Sequence, residues 1–223
     1  MENLGIIGTG KNAAKWYLEK CREIYQLQHG SNVEPPVKLK SVPFEPINAI
    51  LPDQMKEAGR LLVPYLREMD DFDVSRFILA NITLHEAVEL QNVSLKTPFI
   101  SLRTVIANHW DSDIKKVMIV GSYYTMQGNY LPSLFVDFDL DFIAPSEKDF
   151  TAIDQLRKKY YKSSKPKDSR TVFDQLKMNY PEVDSFIIAC TEHALALADY
   201  QKPIRSFNLP ELQCLELITS KIT

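Results

Sequence analysis

Two ten-residue stretches of this chain follow one plan. Arg76 to His85 and Asp184 to His193 each run from an apolar strand through a small residue into a polar turn containing Thr, then into a helix. Phe77-Ile-Leu-Ala80 and Phe186-Ile-Ile-Ala189 are unbroken apolar runs, the pattern of strands buried on both faces of a parallel sheet. A second pair of segments repeats in the same order. Leu4 to Ile7 leads into Gly8-Thr9-Gly10 and a helical pattern over Ala13 to Gln26, and Lys116 to Val120 leads into Gly121-Ser122-Tyr123-Tyr124-Thr125-Met126. The reading is therefore α/β: two similar parallel-sheet α/β domains facing each other across a cleft. Residues 1–110 form the first, completed by a C-terminal helix within 205–223, and residues 111–204 form the second. The 223 residues suffice for two such cores.

Parallel α/β sheets hold ligands at the carboxyl ends of their strands. The expected cleft is then lined by Thr9, Thr83, Ser122, Thr125 and Thr191, a hydroxyl-rich and weakly basic surface that suits a small carboxylate better than a polyphosphate. Cys190 stands where an apolar strand turns into a helix. Unpaired N–H groups and the positive end of the helix dipole favour thiolate at such a position. The competing reading is a small buried core cysteine. Gly8-Thr9-Gly10-Lys11-Asn12-Ala13 also fits a loose dinucleotide-loop pattern, or else a tight turn that uses glycine's conformational freedom.

The rest of the chain supplies scaffold. Val37 to Phe44 reads as a strand, followed by a loop punctuated by Pro43, Pro46 and Pro52. Asp53 is placed as the cap of a helix running to Met69, with Pro64 inside it. Gln127 to Phe135 continues as helix with an interruption at Pro132. The basic run Lys158 to Lys167 reads as a solvated loop before a helix over Thr171 to Met178, or as a patch for an anionic partner. Leu209 to Ile218 forms the last helix.

A net charge of −3 gives no electrostatic case for nucleic acid or an anionic membrane. No apolar run approaches the ~20 residues of a membrane span. The opening Met-Glu-Asn-Leu lacks a basic start and an apolar core, so no secretory signal is expected. Three cysteines without framework spacing suggest a reducing cytoplasm. His29 and His109 lack metal-ligand neighbours, so no metal site is expected.

Four motifs carry a family resemblance. Asn81-Ile82-Thr83-Leu84-His85 resembles the C-N-T-x-H motif of the aspartate/glutamate racemase superfamily, and Cys190-Thr191-Glu192 resembles its G-C-T-E motif. Gly5-Ile-Ile-Gly8-Thr9-Gly10 with Ala13 resembles the opening G-I-x-G-G-M-G-P-x-A-T, and Gly121-Ser122 with Thr125-Met126 resembles G-T-x-x-T-M. They occur in the family's order and span nearly the whole chain. The resemblance implies a cofactor-independent enzyme that removes and returns the α-proton of a small acidic amino acid, aspartate or glutamate. In that family one cysteine stands on each side of the α-carbon, one as thiolate base and one as thiol acid, while hydroxyls and helix-terminal N–H groups hold the carboxylate. Cys190 matches one of these, with Glu192 beside it; Thr83, Thr191, Ser122 and Thr125 match substrate-framing positions, as do Thr9 and Gly10 in the opening loop. A homodimer is expected on the same ground.

The departures bear on the chemistry. Asn81 occupies the position of the first cysteine and Ile82 that of a carboxylate-binding Asn; sliding the register puts Ala80 at the cysteine position instead. Neither register restores a thiol, and asparagine has no acid–base chemistry near neutral pH. Lys11 replaces a Pro, standing either near the pocket or in a solvated loop. Arg76, Arg103 and Arg205 are the arginines weighed for a substrate side-chain carboxylate, and no motif places any of them. Three readings stay open: a racemase in which Thr83, His85 or water serves the face opposite Cys190; a one-base decarboxylase or isomerase; and a catalytically altered or inactive protein that binds a small carboxylate.

Overall fold

The computed structural model describes residues 2–162, 169–200 and 203–220. These divide into two compact units, one of residues 1–105 with 210–223, the other of residues 106–209.

The first unit is built on strand β1 (Leu4–Thr9), every residue of which is buried. It lies between β2 (Val37–Val42) and β3 (Arg76–Ala80) in a parallel sheet of order β2-β1-β3, with Ile6 opposite Leu39 on one side and Ile78 on the other. Helix α1 (Lys11–His29) follows β1 at once. Gly10 makes that turn possible, because its φ of 83° lies where a Cβ would be strained. Beyond β2 come α2 (Glu45–Asn48) and α3 (Met55–Glu68). The sequence places Asp53 as the cap of α3, but the helix starts at Met55 with Gln54 at its cap and no side-chain capping bond. It continues through Pro64 and closes with a 3-10 turn over Met69–Asp71. After β3, α4 (Leu84–Glu89) packs on α3, and an isolated parallel bridge from Phe77 to Phe99 widens the sheet before α5 (Leu102–His109).

The second unit repeats this order. Strand β4 (Lys116–Val120) pairs with β5 (Asp141–Phe142) and β6 (Ser185–Ile188), and β7 (Ser206–Asn208) pairs with β6, all in parallel, giving β5-β4-β6-β7. Thus β7 beside β6 answers the Phe99 bridge beside β3. The apolar runs predict β3, β4 and β6; β5 and β7 are too short to show a period. Two short helices, α6 (Tyr123–Gln127) and α7 (Tyr130–Ser133), replace the single helix expected to run through Pro132. Trp110 packs edge-on against Phe135 and Phe207 to close one side of this core.

Helix α8 (Glu147–Lys162) corrects the reading of the basic run. Lys158 to Lys162 belong to its last turns, where Lys158 pairs with Asp154 at 2.6 Å, while the remainder of the run at 163–167 lies outside the described residues. Ile153, Leu156 and Tyr160 are the buried stripe that makes this charged segment helical. Then come α9 (Ser169–Asn179), α10 (Thr191–Ala198) after β6, and α11 (Leu209–Thr219). Nearly all of α11 belongs to the first unit. There Gln213, Cys214 and the Leu217 carbonyl meet Tyr17 and Arg76. Among the described residues no helix is long and apolar enough to cross a membrane.

Candidate active site

The polar residues singled out in the sequence gather at strand carboxyl ends, as two groups, one in each unit. In the first unit the pairing of Gly8 with Ala80 sets Thr9 beside Asn81. The Asn81 amide donates from Nδ2 to Thr9 Oγ1 at 3.2 Å, and the Thr9 hydroxyl donates to the Ala80 carbonyl at 3.4 Å. The other end of the amide, Oδ1, accepts from the Leu84 N–H at 3.1 Å. Asn81 is thus the side chain that satisfies a free N–H at the start of α4, the usual work of an asparagine at a helix entry. Thr9 is only 2% exposed. Ile82 is buried in the apolar core, Thr83 is half-buried, and Lys11 is exposed at the first position of α1.

His85, weighed from the sequence as a group for the face opposite Cys190, lies in the core. It is fully buried, stacked on Phe99, with Nε2 3.4 Å from the Leu79 carbonyl and 2.9 Å from Gln213 Nε2. Gln213 Oε1 in turn accepts from the Tyr17 hydroxyl at 2.6 Å, and its Nε2 donates to the Leu79 carbonyl at 3.3 Å. Burial pushes the imidazole down to about 4, so it is neutral at ordinary pH. It ties β3, α4 and α11 together from inside.

In the second unit the ends of β4 and β6 lie side by side, with the Ala189 N–H on the Val120 carbonyl at 2.9 Å. Gly121 permits this approach, since a Cβ there would stand 3.1 Å from Thr125 Cβ and 3.3 Å from Ala189 Cβ. Ser122 caps α6: its Oγ accepts from the Thr125 N–H at 3.2 Å and lies 2.7 Å from Thr125 Oγ1. Thr191 opens α10 and is buried, as is Thr125.

Cys190 occupies the cap position of α10 in extended backbone, 9% exposed. Its thiol donates to Glu192 Oε2 at 2.7 Å. The helix dipole alone favours thiolate, and the His193 N–H and Arg157 pull the same way. Desolvation and the Glu192 carboxylate outweigh them, holding the thiol well above its ordinary range. The resting group is therefore a thiol acid, which corrects the expectation of a thiolate. His193 repeats His85: fully buried, Nε2 on the Ile153 carbonyl at 3.0 Å, pushed by burial to about 4.

On α8, the Arg157 Nε donates to Asp154 Oδ1 at 2.9 Å. The three arginines weighed earlier are placed otherwise. Arg76 is buried with Nε on the Leu217 carbonyl at 3.0 Å, Arg205 pairs with Asp111, and Arg103 is exposed on α5.

No family model matches the sequence and no curated protein matches it. Solved structures do. An aspartate racemase homologue from Pyrococcus horikoshii superposes with a TM-score of 0.81 at 18% identity, covering 98% of both chains. A putative Asp/Glu racemase from Yersinia pestis gives 0.77 at 19% identity over 98% of both chains. This chain has the aspartate/glutamate racemase fold. Glutamate racemase from Francisella tularensis, in complex with D-glutamate, gives 0.61 at 13% identity over 97% of this chain and 79% of that one. Within the racemase fold, then, the second unit presents a thiol, a carboxylate and hydroxyls at its strand ends, and the first presents an amide held by the Thr9 hydroxyl and the Leu84 N–H.

Proposed function

We propose that this protein is a racemase-type isomerase that moves the α-proton of a small acidic amino acid, aspartate or glutamate, without a cofactor, and that Cys190 is its proton-transfer group. The observation that carries the reading is the Cys190–Glu192 contact at the end of β6. A thiol beside a carboxylate can part with its proton, which passes from Sγ to Oε2. The thiolate takes the α-proton and is a thiol again. A water on the opposite face of the carbanion gives it a proton, and the proton on Oε2 neutralises the hydroxide left behind. The hydroxyls of Thr191, Ser122 and Thr125, with the N–H groups at the start of α10, suit a substrate carboxylate and the charge that develops on it. The fold shared with aspartate and glutamate racemases supports the same reaction class.

A second reading, a one-base decarboxylase or isomerase, is favoured by Asn81. Its amide carries no transferable proton and is committed to Thr9 and the Leu84 N–H. With Cys190 at rest as an acid, protonation of a carbanion from one face is the step the site is set up to perform.

One experiment separates them. Each enantiomer of aspartate and glutamate is incubated with the protein in heavy water, and the α-proton is followed by NMR. Exchange with inversion is expected of a racemase; exchange with retention, from one enantiomer alone, identifies the one-base enzyme. No exchange from any of the four sinks the proton-transfer reading and leaves a protein that binds a small carboxylate.

A further inference from the structure

The turn that carries Asn81 hangs from one carbonyl. The Asn81 N–H closes a tight three-residue turn on the Leu79 carbonyl at 2.8 Å. The same oxygen accepts from Gln213 Nε2 at 3.3 Å. Gln213 belongs to α11, far along the chain, and is wholly buried. Its other end, Oε1, takes the Tyr17 hydroxyl at 2.6 Å. Tyr17 stands in α1, the helix that follows Thr9 and Gly10, and Thr9 Oγ1 receives the Asn81 amide at 3.2 Å. From Asn81 through Leu79, Gln213, Tyr17, α1 and Thr9, the contacts close a ring inside the first unit.

Gln213 fits this ring in one orientation. A carbonyl oxygen accepts and never donates, so the amide atom facing Leu79 is the nitrogen, and Oε1 faces the Tyr17 hydroxyl. The second N–H of that nitrogen then meets His85 Nε2 at 2.9 Å, which makes the ring nitrogen the acceptor. The proton of the neutral imidazole therefore sits on Nδ1, which has no hydrogen-bond partner among the described residues. Without Gln213 the better place for that proton is Nε2, directed at the Leu79 carbonyl 3.4 Å away. Gln213 thus displaces His85 as the side-chain donor to the carbonyl under the Asn81 turn.

We propose that Gln213 is the positioning residue of the Asn81 turn: it fixes the Leu79 carbonyl, and with it the direction in which the Asn81 amide and the Thr9 hydroxyl meet a substrate. The assignment rests on the reading of this strand end as part of a site for a small acidic amino acid. Asn81 transfers no proton, so Gln213 governs the placement of the substrate and leaves the chemical step alone.

The test reads the ring first and turnover second. Nitrogen NMR of the imidazoles at neutral pH is expected to show His85 protonated at Nδ1 in the wild-type protein and at Nε2 in Gln213→Met. The same variant should speed hydrogen exchange of the Leu84 N–H, which Asn81 Oδ1 holds, roughly five- to tenfold beyond any change in the rest of the first unit. Tyr17→Phe, which releases Gln213 Oε1, should give a smaller change of the same kind. Cys214→Ala, a change in the same helix against the Tyr17 carbonyl, should leave the His85 proton on Nδ1. In α-proton exchange, Gln213→Met should raise KM roughly five- to tenfold and hold kcat within about twofold. A wild-type His85 protonated at Nε2, Leu84 exchange that rises no more than its neighbours, or a fall in kcat at unchanged KM overturns the proposal. If no α-proton exchanges while the His85 and Leu84 changes appear, the racemase reading falls and the hold of Gln213 on Asn81 stands.

Discussion

The ends of β3 and β6 share a chassis and differ in what they carry. At both, an apolar strand enters a helix through a polar turn, and a buried histidine, His85 or His193, sets Nε2 against a backbone carbonyl. Both imidazoles are neutral, with about 4 as the midpoint of protonation. At the tip of the first, Asn81 spends its amide on Thr9 and on the start of α4. At the tip of the second, Cys190 caps nothing by its side chain and donates a hydrogen bond from its thiol to Glu192. One scaffold thus supports a closed, self-satisfied tip and a tip with chemistry to offer. A polar side chain committed to a hydroxyl and a backbone N–H holds the fold, as Asn81 does; one that shares a proton with a second titratable group, as Cys190 does, is a candidate for function.

The largest effect that would break this contrast is expected at the second tip. Cys190→Ser should lower α-proton exchange about a thousandfold, measured by NMR in heavy water. Cys21→Ser and Cys214→Ser, both in the core of the first unit, should lower the thermal midpoint and leave exchange within about twofold. Equal losses from all three would erase the distinction between the tips.

The shared chassis makes the next prediction. Both histidines titrate near 6.5 when unfolded and near 4 when folded, so the unfolded chain binds more protons between those values. Their contribution is fully present above pH 6.5 and is lost as pH falls toward 4, about 3 kcal/mol for each. Urea unfolding between pH 7 and 4 should show this slope, and His85→Gln or His193→Gln should each flatten it by about half. A slope unchanged in both variants would mean the chassis does not depend on neutral imidazoles.

Two smaller effects sharpen the comparison of the tips. Glu192→Gln removes the charge that holds the Cys190 thiol protonated and should speed its alkylation at pH 8 by about tenfold. Asn81→Cys removes the bond to the Leu84 N–H and should cost about 1 kcal/mol in denaturant unfolding. The same variant should raise racemisation if a thiol is what the first tip lacks; a stability loss without that gain would show that the turn has been rebuilt around its amide.

Much of this was legible in the sequence, for identifiable reasons. Strands β1, β3, β4 and β6 announce themselves because central parallel strands are apolar on both faces, and the turn residues after them fall in repeating order. The edge strands β5 and β7 are two and three residues long and carry no period. The lysines at the end of α8 read as solvated loop and mask the buried stripe of Ile153, Leu156 and Tyr160. At the candidate site the residue types were visible and their states were not. His85 sits two positions from Thr83 in sequence, yet burial lowers the pKa of its imidazole to about 4. Cys190 stands where a helix dipole favours thiolate, but desolvation and the carboxylate two residues later reverse the balance.

The composition of the first unit sets an order of events during synthesis. Residues 106–209 are contiguous, so the second unit can close its core as soon as they have left the ribosome. The first unit cannot, although its strands are translated earlier. Gln213 and Cys214, which meet Tyr17, and the Leu217 carbonyl, which receives Arg76, all arrive with the last helix. The older half of the nascent polypeptide must therefore wait, its sheet uncovered on that side, for the newest.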